Sequence, residues 1–132
     1  MLNRPALKAF VEGLGKNITA TNEPKRMTAV GMPDIKVSKK VRKSNLPFGY
    51  IECKDVGVDL RREEKSEQLK RYRKSLHNLI LTDYIKFRYY IGGELVETAE
   101  LAKEGKGGQF ETTDAKIDEV RKIFARFFDQ EP

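Results

Sequence analysis

The sequence predicts a mixed α/β domain with a central β-sheet flanked by helices. A strand-like segment at 48–54, a helix-like segment at 59–77 and an apolar strand at 79–83 follow one another, and this order predicts two parallel strands joined by a crossover helix. A Gly-Gly pair at 92–93 between two further apolar segments predicts an antiparallel hairpin. The 132 residues, 39% of them hydrophobic, suffice for one core, so 1–132 is predicted to form a single domain.

The chain is predicted to begin with a helix and a short strand. Residues 5–14 carry apolar side chains at helical spacing, Pro5 suits the first turn, and Gly15 can end the helix. Residues 18–23 can form a strand that Pro24 closes. These elements should pack against the central sheet.

Two further strands are predicted to carry the polar residues of interest. Residues 33–37 lead into a strand, the basic run 38–45 is expected to be a hairpin loop, and 48–54 is the clearest strand in the chain. Because side chains alternate along a strand, two sets point to opposite faces: Tyr50, Glu52 and Lys54 to one, Ile51 and Cys53 to the other.

The centre of the chain is predicted to form one long helix and a buried strand. Residues 59–77 are rich in charged side chains, and their apolar stripe consists of Leu60, Leu69, Tyr72 and Leu76. Asn78 is expected to end the helix. The apolar run at 79–82 is typical of a strand that is buried on both faces.

The last part of the chain is predicted to form a hairpin and a helix. Strands at 85–91 and 95–101 are joined by the Gly-Gly turn, and the glycines of 105–108 mark a flexible loop. Thr113 or Asp114 then caps a helix that runs to about residue 128, with a buried face of Ile117, Val120, Ile123, Phe124 and Phe127.

Composition narrows the classes of function. No apolar run is long enough for a transmembrane helix, and no signal peptide is expected at the start. The single Cys53 excludes an intrachain disulfide and a cysteine-based zinc site, which favours a reducing cytoplasm. The net charge of +6 suits DNA or RNA as a partner, although basic runs also form ordinary solvated faces. The candidate DNA-binding residues are Lys36, Lys39, Lys40, Arg42, Lys43, Lys70, Arg71, Arg73 and Lys74.

Three residues at the predicted strand ends suit metal-dependent phosphodiester hydrolysis. Asp34 and Glu52 offer hard oxygen ligands for Mg²⁺, and the backbone carbonyl of Cys53 can supply a third. Lys54, on the same face as Glu52, can orient or deprotonate the attacking water or offset phosphate charge. A nuclease is therefore the leading hypothesis. Turn and helix-cap roles are favoured over a second cation site for Asp55 and Asp59.

Two residues of the following helix strengthen this hypothesis. Gln68 and Tyr72 are four positions apart and therefore share a helix face. If that face is directed to the strand end, Gln68 can bind a phosphate or a metal-bound water, and Tyr72 can contact the DNA backbone.

These motifs resemble the PD-(D/E)xK nucleases, specifically the RecB/Mrr-like branch with its Q-x-x-x-Y helix motif. Pro33-Asp34, the Glu-Cys-Lys of 52–54 and the Gln-Leu-Lys-Arg-Tyr of 68–72 match in order and spacing. Residues 49–57, 65–72 and 78–84 are similar to the N-terminal nuclease modules of type ISP or type IIG-like restriction-modification enzymes. The resemblance covers roughly residues 4 to 102.

The resemblance implies a restriction-endonuclease-like core and a DNA endonuclease that uses Mg²⁺, with Mn²⁺ as an expected substitute. It implies a bacterial cytoplasmic protein whose helicase and adenine-methyltransferase modules act in cis or in trans. Homodimerisation stays open, because cutting both strands requires two domains or two events. The chain would then be a fragment or an excised domain of a larger restriction-modification enzyme.

One departure from this family keeps a second hypothesis open. Relatives often carry an acidic residue on the first helix that completes the site, whereas Glu12 is the only acid there. The alternative is a catalytically inactive DNA-binding or assembly domain of the same fold. It predicts salt-sensitive DNA affinity without turnover.

Overall fold

The computed structural model describes residues 4–15, 17–23 and 31–132. Pro24, the expected end of the first strand, lies outside them. The helices of the described residues are α1 (Arg4–Leu14), α2 (Leu60–Glu63), α3 (Glu67–Ser75) and α4 (Asp114–Phe128). The strands are β1 (Ile18–Asn22), β2 (Ile35–Val41), β3 (Ser44–Cys53), β4 (Asn78–Thr82), β5 (Lys86–Ile91), β6 (Glu94–Glu100), β7 (Lys103–Glu104) and β8 (Phe110–Glu111). No described helix is long and apolar enough to cross a membrane.

Strands β1 to β6 form one mixed sheet in chain order. Strands β3 and β4 pair in parallel, and every other neighbouring pair of this sheet is antiparallel. The parallel pair is the one that the strand–helix–strand order predicts, because α2 and α3 connect its two strands. The predicted mixed α/β fold is therefore confirmed.

Helices cover both faces of this sheet. Apolar residues of α1 and α4, such as Leu7 and Phe124, pack in one core with Ile80 of β4. Leu60, Leu69 and Tyr72 of α2 and α3 pack in a second core, where they meet Leu79 and Leu81 of β4, among others. Because successive side chains of β4 enter different cores, the strand is buried on both faces, as predicted.

Asn78 begins β4 and joins three elements, so the prediction that it ends the preceding helix is wrong. Helix α3 ends at Ser75. The buried Asn78 amide nitrogen donates to the carbonyls of Phe48 (3.1 Å) and Phe127 (2.9 Å), and its oxygen accepts from the Tyr89 hydroxyl (2.7 Å). Beside it, a Cβ on Gly49 would lie 2.3 Å from the Phe127 ring, so only glycine lets α4 pack this close to β3.

The basic run 38–45 is mostly strand, and the prediction of a loop there is wrong. Strand β2 continues to Val41 and β3 begins at Ser44, which leaves a two-residue turn at Arg42 and Lys43. Arg42 adopts the left-handed conformation, with φ of 58°. Hydrogen bonding to the neighbouring strand holds these residues extended, although lysine has a low intrinsic preference for strands.

The predicted long helix at 59–77 is two helices. Asp59 caps α2, and the Ser66 hydroxyl caps α3 by accepting from the amide of Leu69 at 3.2 Å. Serine caps a helix N-terminus well because its side chain satisfies an amide that lacks a partner within the helix. The cap therefore lets a new helix start at Glu67.

The C-terminal elements follow the prediction closely. The turn between β5 and β6 is formed by Gly92 and Gly93, whose φ values of 58° and 83° suit a two-residue hairpin. Helix α4 begins after Thr113, whose hydroxyl accepts from the amide of Lys116. The predicted flexible loop at 105–108 instead contains a single 3₁₀ turn between the paired strands β7 and β8.

Candidate active site

Two acidic side chains meet where β2 begins and β3 ends. Ile35 pairs with Ile51, so Asp34, just before β2, lies beside Glu52 near the end of β3. The Asp34 amide donates to Glu52 Oε1 at 3.1 Å, and the Cys53 amide donates to Asp34 Oδ2 at 2.8 Å. Both acids are buried, with Asp34 8% and Glu52 4% exposed. Two buried carboxyl groups thus share one small polar site.

Lys54 follows on the same face of the chain as Glu52 and joins the acids to α3. Its ammonium lies 3.5 Å from Glu52 Oε2 and donates to Gln68 Oε1 at 3.2 Å. The structure therefore brings together Asp34, Glu52, Lys54 and Gln68, which the sequence singled out. A fixed ammonium beside a carboxylate pair can bind and orient an anionic group.

Glu63 is a further acid of this site that the sequence analysis did not identify. Its Oε2 lies 3.8 Å from the Lys54 ammonium. In one continuous helix, Glu63 and Gln68 would point about 140° apart, because each residue turns the helix by about 100°. The break between α2 and α3 allows both side chains to approach Lys54. Ser66 was the signal in the sequence that could have indicated this break.

Arg4 is the residue of the first helix that reaches the site. Its Nη2 atom donates to Asp34 Oδ1 at 2.8 Å. Glu12, the acid considered for this role, instead accepts from the amide of Ala20 at 3.0 Å and supports the strand β1. The first helix thus contributes a cation to the acid pair, and no pattern in the sequence indicated this contact.

Burial and mutual repulsion make Glu52 hard to ionise. Loss of water around the carboxyl group and the adjacent charge of Asp34 raise its pKa from an ordinary 4.5 to about 8, and Lys54 opposes the shift. A carboxyl pair of this kind favours a nearby cation, because positive charge offsets the repulsion between the two groups.

We expect the stability of the folded chain to fall as the pH rises from about 5 to about 8. Between the pKa of 4.5 in the unfolded chain and about 8 in the folded chain, the folded state binds more protons at Glu52. Its stabilisation is therefore complete below the lower value and is lost as the pH passes the upper one. Urea unfolding of Glu52→Gln should show a decline smaller by about 3 kcal/mol over this range.

Glu67→Gln is the matched control for this measurement, because the Glu67 side chain is 93% exposed. Its pH profile should follow that of the unmodified chain. Parallel profiles for Glu52→Gln and the unmodified chain would contradict the assignment of the pH dependence to Glu52.

The Tyr72 hydroxyl is buried near Gln68 and the two acids. The residue is 2% exposed, and its hydroxyl is buried without a hydrogen-bond partner of ordinary geometry among the described residues. Burial, with the charges of Glu52 and Asp34, raises its pKa to about 12, so the hydroxyl keeps its proton at neutral pH. It is available to donate to an oxygen that enters the site.

The donor atoms suit a hard divalent cation. No group of three or more histidine, cysteine or acidic residues in the described part of the chain could hold a metal ion. Mg²⁺ does not need such a group, since it keeps several waters and often binds one or two carboxylates together with substrate phosphates. Asp34 and Glu52 meet that requirement, and their repulsion favours a cation between them.

Cys53 packs on the opposite side of β3 from Glu52, in agreement with the strand alternation. Its side chain lies against the core that α1 and α4 form with the sheet. Burial raises the pKa of its thiol to about 12, so the thiol stays protonated and is unsuited to act as a nucleophile. Only the backbone of Cys53 takes part in the polar site.

The basic residues near the β2–β3 turn lie away from the acids, whereas Lys36 is only two positions after Asp34. Asp34 and the turn at Arg42 and Lys43 are at opposite ends of β2, about 25 Å apart at 3.3 Å per strand residue. Lys40 is exposed near the turn, and Lys36 makes an ion pair of 3.7 Å with Glu23. Lys39 donates to the carbonyl of Gln130 and lies over the Phe48 ring. The turn end of this hairpin is therefore not part of the acidic site.

The basic residues of α3 are closer to it, because the helix begins beside Lys54. Arg71 is exposed and lies next to Gly31, three positions before Asp34. Lys70 and Lys74 are exposed, whereas Arg73 donates twice to the carbonyl of Gly93 and covers the Tyr90 ring. Among the described residues, Lys70, Arg71 and Lys74 make no such contact with a carbonyl or a ring.

A cavity of about 670 Å³ lies apart from these residues. It is bordered by the start of α2, β5, β6 and α4, and its charged lining includes Asp59, Arg61, Lys86 and Glu119. None of the acids of the candidate site lines it. The candidate site therefore lies outside this cavity, at the end of β3.

Comparison with known proteins supports the fold. No family model and no curated protein matches the sequence. A similar solved structure is described as a cryo-EM structure of the DrdV–DNA complex; it superposes with a TM-score of 0.65 at 18% sequence identity. The similarity covers 98% of this chain and 11% of that one, so this chain spans about a tenth of the solved chain. The predicted restriction-endonuclease-like core is confirmed.

Proposed function

We propose that this chain is a DNA endonuclease domain that hydrolyses phosphodiester bonds with Mg²⁺ or Mn²⁺. The observation that carries the proposal is the buried pair of Asp34 and Glu52, with Lys54 held beside it by Gln68. The restriction-endonuclease-like core supports it, since the cluster lies at one end of the parallel strand β3. Ligand sites in open α/β sheets commonly lie at such strand ends.

Each side chain of the candidate site has a separate role in the proposed hydrolysis. Asp34 and Glu52, with the Cys53 carbonyl, would hold the cation, which when bound supplies Lewis-acid activation of water and phosphate. Lys54 donates to a phosphate oxygen or to the attacking water and offsets the negative charge that develops. Gln68 and Glu63 hold the ammonium in place. The Tyr72 hydroxyl donates to an oxygen of the same phosphate.

Charge and size support DNA and larger assemblies as partners. The net charge of +6, the exposed Lys70 and Lys74 of α3, and Arg71 beside Gly31 favour a polyanion. The similar solved structure is a DNA complex, and this chain covers 11% of it, which suits one module of a larger enzyme. We propose a bacterial cytoplasmic restriction-modification enzyme, with helicase and adenine-methyltransferase modules in cis or in trans. Two such domains would be needed for a double-strand cut in one event.

The direct test is nicking of supercoiled plasmid in Mg²⁺ and in Mn²⁺. The unmodified chain should convert the plasmid to the open-circular form only when a cation is added, and Glu52→Gln should not. Glu67→Gln is the matched control, because it makes the same chemical change on a fully solvated side chain of α3. Nicking that persists in Glu52→Gln, or that needs no cation, would overturn the proposal.

One observation favours a second function, a catalytically inactive DNA-binding or assembly domain. Each oxygen of Asp34 and Glu52 already faces a donor within the chain, from Arg4, Cys53, Asp34 and Lys54. In this case, DNA binding should weaken with added salt, no nicking should occur with either cation, and Lys54→Met should leave DNA affinity nearly unchanged.

A further inference from the structure

The contact between Arg4 and Asp34 joins a solvated cation to a buried acid. The Arg4 side chain is 40% exposed and that of Asp34 is 11% exposed. The guanidinium holds Oδ1, while Oδ2 accepts from the Cys53 amide. Asp34 therefore has one oxygen bound to the rigid strand β3 and one bound to a long side chain that solvent can reach.

This division leaves Asp34 in position when Arg4 departs. The Cys53 amide still holds Oδ2, and the Asp34 amide still donates to Glu52 Oε1. Arg4 is the first residue of α1, its guanidinium also lies beside the Tyr84 hydroxyl, and its exposure allows water to solvate it once it leaves Asp34.

We propose that Arg4 is an internal competitor for the divalent cation, and that the cation displaces it from Asp34. The inference rests on the proposed function, because it takes Asp34 and Glu52 as the cation ligands. Two positive charges within about 4 Å repel each other strongly in a partly buried site, so Arg4 and the cation exclude one another from Oδ1. In the absence of the cation, Arg4 offsets the repulsion between the two acids.

The competition has two consequences for the protein. Apparent cation affinity is lowered by the contact that must first be broken, as for any ligand that replaces another. Cation binding also releases a guanidinium at the edge of the site, where a phosphate of the substrate would lie. Occupation of the acid pair and the position of the first turn of α1 are thereby coupled.

The test measures Mn²⁺ affinity by isothermal titration calorimetry, with no DNA present. Arg4→Gln should bind Mn²⁺ about tenfold more tightly than the unmodified chain, because a charge-assisted hydrogen bond no longer competes. Lys8→Gln removes the same charge one turn later on α1, and it should change the affinity less than about twofold. Equal or weaker binding by Arg4→Gln would overturn the inference and would assign Arg4 to holding Asp34 in place.

A spectroscopic measurement follows the displacement itself. In the unmodified chain, the side-chain Nε–H resonance of Arg4, assigned by its loss in Arg4→Gln, should shift towards the position of a free arginine as Mg²⁺ is added. Glu52→Gln should abolish this shift together with Mn²⁺ binding. Cation binding without a shift would refute the displacement alone. Failure of both Arg4→Gln and the unmodified chain to bind Mn²⁺, with both folded by circular dichroism, would overturn the proposed function as well.

Discussion

Replacing Lys54 with methionine should slow plasmid nicking by about a thousandfold and leave the affinity for the cation unchanged. Removing one preorganised hydrogen-bond donor from an active site typically lowers the rate by this order of magnitude. Methionine retains an unbranched side chain of similar length and removes the positive charge. The ammonium it deletes is fixed by Glu52, Gln68 and Glu63, so it is already in position when a phosphate arrives.

The same substitution separates the role of Lys54 from that of the acids. Losing a positive charge 3.5 Å from Glu52 should leave Mn²⁺ affinity unchanged or slightly higher, whereas Glu52→Gln should abolish binding and nicking together. Lys122→Met is the control, because Lys122 is exposed on α4 and is not among the candidate DNA-binding residues. A parallel loss of cation affinity and nicking rate in Lys54→Met would show that the lysine organises the acids instead of acting on the substrate.

Asn78→Leu should lower the free energy of unfolding by about 3 kcal/mol. The two side chains are similar in size, but leucine leaves the carbonyls of Phe48 and Phe127 and the Tyr89 hydroxyl without this partner. Asn78 is 2% exposed, so water cannot easily replace it. The change can be measured by urea unfolding followed by circular dichroism.

Tyr89→Phe is the companion variant for this prediction. It removes one of the three hydrogen bonds and the hydroxyl that makes it, and it should cost only about 1 kcal/mol. A similar loss in both variants would mean that the two carbonyl contacts contribute little. In that case, the hydrogen bonds of Asn78 would not be what holds β3, β4 and α4 together.

Local sequence patterns determined most of the fold. Apolar periodicity and the Gly92-Gly93 turn predicted the flanking helices and the last hairpin, because those features depend on neighbours within a few residues. The parallel pair followed from the order of strand, helix and strand. The elements that were misjudged depend on distant partners. The run 38–45 is extended because β2 and β3 pair with each other, and Asn78 is buried because α4 reaches it from 49 residues away.

The same division applies to the candidate site. Alternation along β3 and helical spacing in α3 sufficed to select Glu52, Lys54, Gln68 and Tyr72, since these residues are positioned by the local geometry of single elements. Tertiary structure alone decided that Arg4 bonds to Asp34 and that Glu63 approaches Lys54. It also decided that the β2–β3 turn lies far from the acids. These relations join residues of different elements, and their distances follow from how the helices pack on the sheet, which no spacing in the sequence encodes.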